Sequence, residues 1–147
     1  MVLLNPSVIP LSLYIHFPWC IRKCPYCDFN SHELKGEIDE RRYLDTLKAD
    51  LLDDLSNNPL RNPDTGENRQ LQSIFLGGGT PSLFSASCIA ELIEFIKDSL
   101  ESAPDLEVTL EANPGTLEHS KFESYLEAGI NRLSLGVQYS RHLGLVR

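Results

Sequence analysis

Three cysteines near the start of the chain are spaced closely enough to share one metal cluster. Cys20, Cys24 and Cys27 form a C-x3-C-x2-C pattern, directly after the apolar segment Leu11–Phe17. Iron–sulfur clusters are held by cysteine thiolates, normally four of them. Three thiolates this close can hold three corners of a four-iron cluster, which leaves the fourth iron without a protein ligand. The spacing therefore predicts a reactive centre with an open iron rather than a plain electron relay.

A zinc ion, or no metal at all, is the alternative for these three thiols. His16 or His32 could complete a zinc site, although both are expected to pack and hydrogen-bond locally instead. Zinc sites built from cysteine pairs usually have a second, distant pair, and this chain has only one further cysteine. That residue, Cys88, falls on the apolar side of a predicted helix, which is typical of a small buried hydrophobic residue.

Strand and helix patterns alternate along the chain. The predicted strands are Leu11–Phe17, Leu71–Leu76, Leu106–Glu111 and Arg132–Val137, and the predicted helices start at Asp39, at Ser85 or Ser87, and at Thr116. This alternation predicts an α/β fold with a parallel sheet and right-handed crossovers. Residues 1–10 are interpreted as a leader and residues 56–66 as a loop.

Four groups of polar or small residues fall at the ends of the predicted strands. Cys20, Gly77–Gly79, Glu111 and Gln138 each lie at or just past the end of a different strand. Sites in parallel α/β folds lie at the carboxyl ends of the strands, so we expect the four to converge on one rim. Glycines let a backbone approach a ligand closely, but a glycine run is also typical of a strand-to-helix turn. A glutamate at a strand end can bind a cofactor or simply be solvated.

The composition excludes some classes of function. The 147 residues carry a formal net charge of -8, which argues against a general nucleic-acid binder and gives no attraction to anionic membranes. No apolar run approaches membrane-spanning length, and no signal peptide is recognisable. With three of the four cysteines clustered, we expect the reducing cytoplasm. The acidic stretch Glu37–Asp54 is interpreted as the solvated face of a helix.

Several blocks of sequence resemble one known family. The stretch Tyr14–Ser31 is similar to the start of radical S-adenosylmethionine (SAM) proteins of the oxygen-independent coproporphyrinogen III oxidase group. Phe75–Ser82, Leu110–Gly115 and Asn131–Gln138 are similar to further blocks of that family in the same order. The resemblance implies a partial (β/α) barrel of the radical SAM type, truncated after about four strands. Residues 11–147 would then be the N-terminal part of the core domain.

The resemblance also implies cofactors and the residues that hold them. Cys20, Cys24 and Cys27 would bind a [4Fe-4S] cluster, and SAM would chelate the open iron. The residues implied to lie at SAM are Tyr14, Tyr26, Gly78 and Glu111, with Gly79, Thr80 and Gln138 at family positions for a second SAM. Alternatively, Tyr14 is an ordinary half-buried tyrosine of a strand, with no contact to a cofactor. For Tyr26, the alternative role is to shield the cluster.

One position distinguishes two branches of the family. The oxidases have an additional cysteine two residues after the third cluster ligand, where this chain has Phe29. The resemblance therefore favours the haem chaperones, which would bind haem and deliver it to an acceptor protein, with a reductant protein as electron donor. Three alternatives stay open: a coproporphyrinogen III oxidase, a structural zinc module, and an inactive fragment. The last is included because residues 139–147 match the family poorly.

Overall fold

The computed structural model of the protein describes residues 10–58, 60–62, 65–113, 119–136, 139–140 and 144–145. Its strands are β1 (Leu11–Phe17), β2 (Trp19–Cys20), β3 (His32–Glu33), β4 (Leu71–Gly78), β5 (Ser102–Ala112), β6 (Arg132–Leu135), β7 (Tyr139–Ser140) and β8 (Gly144–Leu145). Its helices are α1 (Glu40–Asn57), α2 (Ala86–Ser99) and α3 (His119–Glu127), and a short 3-10 helix covers Pro81–Leu83.

Four of the strands form one parallel sheet in the order β1-β4-β5-β6. Helices α1, α2 and α3 lie between successive strands of this sheet along the chain. The predicted α/β fold with a parallel sheet is therefore confirmed. The register places Phe17 beside Gly78 and Glu111 beside Ser134, so the carboxyl ends of the strands lie along one edge.

The two faces of the sheet differ in chemistry because side chains alternate along each strand. One face is buried and apolar, with Ile15, Phe17, Ile74, Leu76, Val108 and Leu110 in one core with Leu92, Ile93 and Ile96 of α2. The other face carries polar and aromatic pairs. Ser73 donates to Ser12 across β1 and β4 at 2.9 Å, and Arg132 pairs with Glu107 across β5 and β6 at 2.8 Å.

The helix starts are fixed by capping side chains. The carboxylate of Asp39 accepts from the backbone amide of Arg42 at 3.1 Å, as predicted for an N-cap residue. Ser85, rather than Ser87, caps α2 by accepting from the amide of Cys88 at 3.2 Å. Glu40 also accepts from the amide of Ser85 at 2.8 Å, which ties the start of α1 to the start of α2.

Several boundaries differ from the sequence prediction. Strand β4 continues to Gly78 rather than ending at Leu76, and β5 begins at Ser102 rather than Leu106 because Leu71 of β4 pairs with Ser102. The two-residue strands β2, β3, β7 and β8 were not predicted. Residues 1–9, Thr116, Val137 and Gln138 lie outside the described residues. Among the helices of the described part, none is long and apolar enough to span a bilayer.

Candidate functional site

A cavity of about 480 Å³ opens at the carboxyl ends of β4, β5 and β6, beside the cysteine loop. Its lining includes Cys20, Arg22, Cys24, Tyr26, Cys27, Phe29, Gly78, Gly79, Thr80, Glu111, Asn113, Ser134 and Gly136. The structure therefore brings together the three cysteines, the glycine run and Glu111, as well as Tyr26 and Thr80. Tyr14 is not among the residues that line this cavity, and Gln138 lies outside the described residues.

The cysteine loop is closed at its base by backbone pairing. β2 pairs in parallel with β3, so that Trp19 faces His32 and Cys20 faces Glu33. The amide of His32 donates to the carbonyl of Pro18 at 2.7 Å. Inside the loop, the amide of Cys27 donates to the carbonyl of Cys24 at 3.0 Å, which places the last two cysteines on one turn.

The three loop cysteines are free and partly exposed. Within the described part of the chain, no three His, Cys, Asp or Glu side chains converge closely enough to hold one metal ion. Each cysteine of a four-iron cluster binds its own iron, so three thiols that line one cavity can hold such a cluster without meeting at a single ion. Both ring nitrogens of His16 are already engaged, by the Tyr14 hydroxyl and the carbonyl of Asn30, which removes it as a zinc ligand.

The glycine run is packed against the strand that leads into the cysteine loop. The amide of Gly79 donates to the carbonyl of Phe17 at 2.6 Å, and the amide of Thr80 donates to the carbonyl of Trp19 at 2.7 Å. Gly78 has a φ of +109°, and a Cβ there would lie 2.6 Å from the ring of His16. Both the conformation and the contact require glycine at this position.

Glu111 is tied to the glycine run by a hydrogen bond. Its Oε2 atom accepts from the amide of Gly78 at 3.0 Å in a partly buried setting. A carboxylate can accept about four hydrogen bonds, so Glu111 retains acceptor capacity where it borders the cavity. The side chain thus belongs to the site and is not simply solvated.

Tyr14 lies on the polar face of the sheet with its side chain 57% exposed. Its hydroxyl lies 3.1 Å from Nδ1 of His16, and its ring stacks on Phe75 with centroids 6.2 Å apart. Burial, and secondarily the charge of Glu111, raise the pKa of Tyr14. Since the carbonyl of Asn30 can only accept, Nε2 of His16 carries a proton there, and in the neutral ring Nδ1 accepts from Tyr14. The contact that the structure gives Tyr14 is therefore one that orients His16.

Tyr26 and Phe29 expose their rings beside the cysteines, with 56% and 64% of the side chains accessible. A hydrogen bond with the Cys24 thiol is the main cause that raises the pKa of Tyr26. This contact places the Tyr26 hydroxyl next to one predicted cluster ligand, which supports a role as a cover over the thiols.

The fourth cysteine, Cys88, is separate from the site. It is partly buried in α2 and packs against the apolar core, as predicted. Burial is the main cause that raises the pKa of its thiol to about 11. Because the thiolate is the nucleophilic and metal-binding form, Cys88 is suited to packing rather than to chemistry.

Several residues that line the cavity were not predicted from the sequence. Asn113 borders it just after β5, Ser134 borders it from β6, and Arg22 borders it from the cysteine loop. Asn113 lies two positions after Glu111, which is a signal that could have found it. Ser134 is placed by its pairing with Glu111, and this register is not readable from the sequence alone.

Tyr125 of α3 supports the turn that follows the glycine run. Its hydroxyl is shared between the carbonyl oxygens of Ser82, at 3.0 Å, and Phe84, at 2.8 Å. Only 2% of its surface is exposed, and burial is the main cause that raises its pKa to about 12. The sequence placed Tyr125 in a helix without indicating this second role.

We expect Tyr125→Phe to lower the free energy of unfolding by about 2 kcal/mol, because two buried carbonyl groups lose their donor while the ring is retained. Chemical denaturation of the variant and the wild type measures this difference. The adjacent Leu126 is 68% exposed, so Leu126→Ala is a control expected to change stability by less than about 0.5 kcal/mol. Equal losses in the two variants would contradict the supporting role of the hydroxyl.

Comparison with known proteins assigns the family. The model of the radical SAM superfamily matches residues 14–143. The chain therefore belongs to the radical SAM superfamily, which confirms the family predicted from the cysteine and glycine blocks.

Relatives of this chain include proteins named as heme chaperones and a coproporphyrinogen III oxidase of known structure. Heme chaperone HemW of Haemophilus influenzae is 53% identical over 133 residues, covering 90% of this chain and 34% of the relative. HemW of Escherichia coli is 49% identical over 129 residues, covering 88% and 32%. Coproporphyrinogen III oxidase (HemN) from Escherichia coli, a radical SAM enzyme, matches in structure with a TM-score of 0.76 at 26% identity, covering 95% of this chain and 30% of that one. The chain spans about a third of the length of the curated relatives it matches.

Proposed function

We propose that this chain forms the cofactor-binding part of a radical SAM protein that binds haem and delivers it to acceptor proteins. The observation that carries the proposal is the cavity in which three free thiols meet a glycine run and Glu111. The sequence identity of 46–53% to four relatives named heme chaperone HemW supports the choice of haem as ligand.

Cys20, Cys24 and Cys27 are the residues that would hold the [4Fe-4S] cluster, with SAM beside it. When bound, such a cluster would supply an electron to SAM. Gly78 and Gly79 border the cavity, and their lack of side chains lets this strand end pack closely against His16 and the carbonyls of Phe17 and Trp19. Glu111 and Thr80 offer oxygen atoms to the amino group and hydroxyl groups of such a ligand. Tyr26 contacts the Cys24 thiol, and Phe29 lines the same cavity, so both rings would border the bound cofactors.

The oxidase is the second candidate, favoured by the structural likeness to coproporphyrinogen III oxidase. Phe29 argues against it, because this aromatic residue stands where the oxidases have a further cysteine. Its ring lines the cavity and is largely exposed, so this position offers contact area rather than a thiol.

We further propose a reducing compartment, the cytoplasm, since all four cysteines are unpaired. Haem or porphyrin, a haem-accepting protein and a reductant protein are the partners proposed. The net charge of -8 gives no reason to add a nucleic acid.

Two parallel assays separate the candidates. In the first, the protein is reconstituted without oxygen, loaded with haem and mixed with an apoglobin as a generic acceptor, and haem transfer is followed by absorption. In the second, coproporphyrinogen III, SAM and a reductant are supplied, and protoporphyrinogen formation is measured. We expect haem transfer without turnover. Sustained turnover, or a failure to bind haem, would overturn the chaperone assignment.

A further inference from the structure

The segment that follows the third cysteine receives hydrogen bonds from two side chains. Nζ of Lys23 donates to the carbonyl oxygen of Ser31 at 2.9 Å and to that of Phe29 at 3.4 Å. Nε2 of His16 donates to the carbonyl between them, that of Asn30, at 2.7 Å. Three consecutive carbonyl groups are thus anchored by side-chain donors.

Lys23 connects two parts of the loop that carry different cysteines. It lies between Cys20 and Cys24, whereas Phe29 and Ser31 follow Cys27. An ammonium group has three donors and no acceptor, and its hydrogen bonds are stronger than neutral ones. The bond to Ser31 is partly buried, and Ser31 itself is only 1% exposed, so water competes poorly for this contact.

The position of Ser31 bears directly on the third cysteine. Sγ of Cys27 lies 3.8 Å from Oγ of Ser31, within range of a weak hydrogen bond. Ser31 is therefore in direct contact with the thiol that is proposed to bind one iron. His16 fixes the same segment from β1, and Lys23 reaches it from the part of the loop between Cys20 and Cys24.

We propose that Lys23 is a positioning residue whose ammonium group braces the cysteine loop, holding Cys27 in place relative to Cys20 and Cys24 before iron binds. The link to a cluster rests on the proposed function. The brace itself is a property of the metal-free chain and can be tested without any cofactor.

Three variants of the protein separate the brace from the general effect of a charge. Lys23→Met keeps the apolar stem and removes the donors, whereas Lys23→Arg keeps donors at the same position. Lys35→Met is the matched control, because Lys35 is exposed and lies beyond the loop.

Hydrogen–deuterium exchange of the metal-free protein is the first measurement. The amides of Ser31 and His32 donate to backbone carbonyls at 2.7 Å and report directly on the braced segment. We expect about tenfold faster exchange there in Lys23→Met, the factor that corresponds to one lost hydrogen bond. Lys23→Arg and Lys35→Met should exchange like the wild type. Two outcomes would overturn the proposal that Lys23 braces the loop. One is an exchange rate in Lys23→Met equal to that of the wild type, and the other is an exchange rate in Lys23→Arg as fast as that in Lys23→Met.

The rate at which reconstituted protein loses iron to a chelator is the second measurement. We expect about tenfold faster loss from Lys23→Met than from the wild type, with Lys35→Met unchanged. Equal rates in all variants would refute the link between the brace and the cluster. If the wild type itself takes up no iron and sulfide, the proposed function fails, while the exchange measurement still decides whether Lys23 braces the loop.

Discussion

Alanine in place of Cys24 is expected to abolish binding of the iron–sulfur cluster. Oxygen-free reconstitution of the wild type should give about four iron and four sulfide ions per chain, and Cys24→Ala should give close to none. The reason is that only three thiols line the cavity. Without Cys24, two thiols remain, and they can hold only two corners of the cluster. Iron and sulfide analysis, with electron paramagnetic resonance of the reduced protein, measures the effect.

Cys88→Ala is the matched control for this experiment. It removes the one cysteine that packs against the core, so cluster content should be unchanged while stability falls by about 1 kcal/mol. Full iron and sulfide content in Cys24→Ala would contradict the assignment of Cys24 as a ligand. Zinc without sulfide in the wild type would replace the cluster by a structural zinc site.

Gly79→Ala is expected to have the second largest effect, a loss of about 3 kcal/mol in stability together with loss of SAM binding. A Cβ at this position would lie 2.5 Å from the carbonyl oxygen of Trp19 and 2.8 Å from that of Phe17. The Trp19 oxygen accepts a hydrogen bond from the amide of Thr80, and the Phe17 oxygen accepts one from the amide of Gly79. Neither oxygen can therefore move without breaking a hydrogen bond that joins the end of β4 to the start of the cysteine loop. Denaturation and calorimetric titration with SAM measure the two effects.

Gly136→Ala offers a control within the same cavity. Gly136 lines the site, but an added Cβ would meet no atom within 4 Å. We expect a change in stability of less than about 0.5 kcal/mol. If Gly79→Ala were as stable as Gly136→Ala and bound SAM equally well, the close approach of the Trp19 and Phe17 carbonyl oxygens to Gly79 would matter for neither stability nor SAM binding.

The main elements of the fold could be predicted because their signals are local. Apolar residues such as Ile89, Leu92, Ile93 and Ile96 recur at helical spacing, and Asp39 and Ser85 supply the side-chain oxygens that cap helices. The pairing of β2 with β3 could not be predicted, because two residues show no periodicity. The early start of β5 depends on Leu71, which lies about thirty positions earlier, and register of this kind is set by tertiary contact.

The meeting of Cys20, Gly78 and Glu111 at one cavity could be predicted, because sites in parallel α/β folds lie at the carboxyl ends of the strands. That these residues bind cofactors stays a prediction.

Roles that depend on a partner were not predictable. Tyr14 is one example: the pairing of its hydroxyl with Nδ1 of His16 could not be read from the sequence. Asn131 is a second example: its side chain accepts from the amide of Val108 at 2.7 Å and donates to the carbonyl of Leu106 at 2.8 Å, joining β6 to β5. Nothing in the sequence marks an asparagine for this task.

The aromatic packing beneath the cysteine loop has an optical consequence. Trp19 is the single tryptophan of the chain, and its ring lies 4.6 Å from that of Tyr43, centroid to centroid. It immediately precedes Cys20, so tryptophan fluorescence originates at the entrance to the loop and nowhere else. The unlabelled protein therefore carries its own spectroscopic reporter at the place where cofactors are proposed to bind.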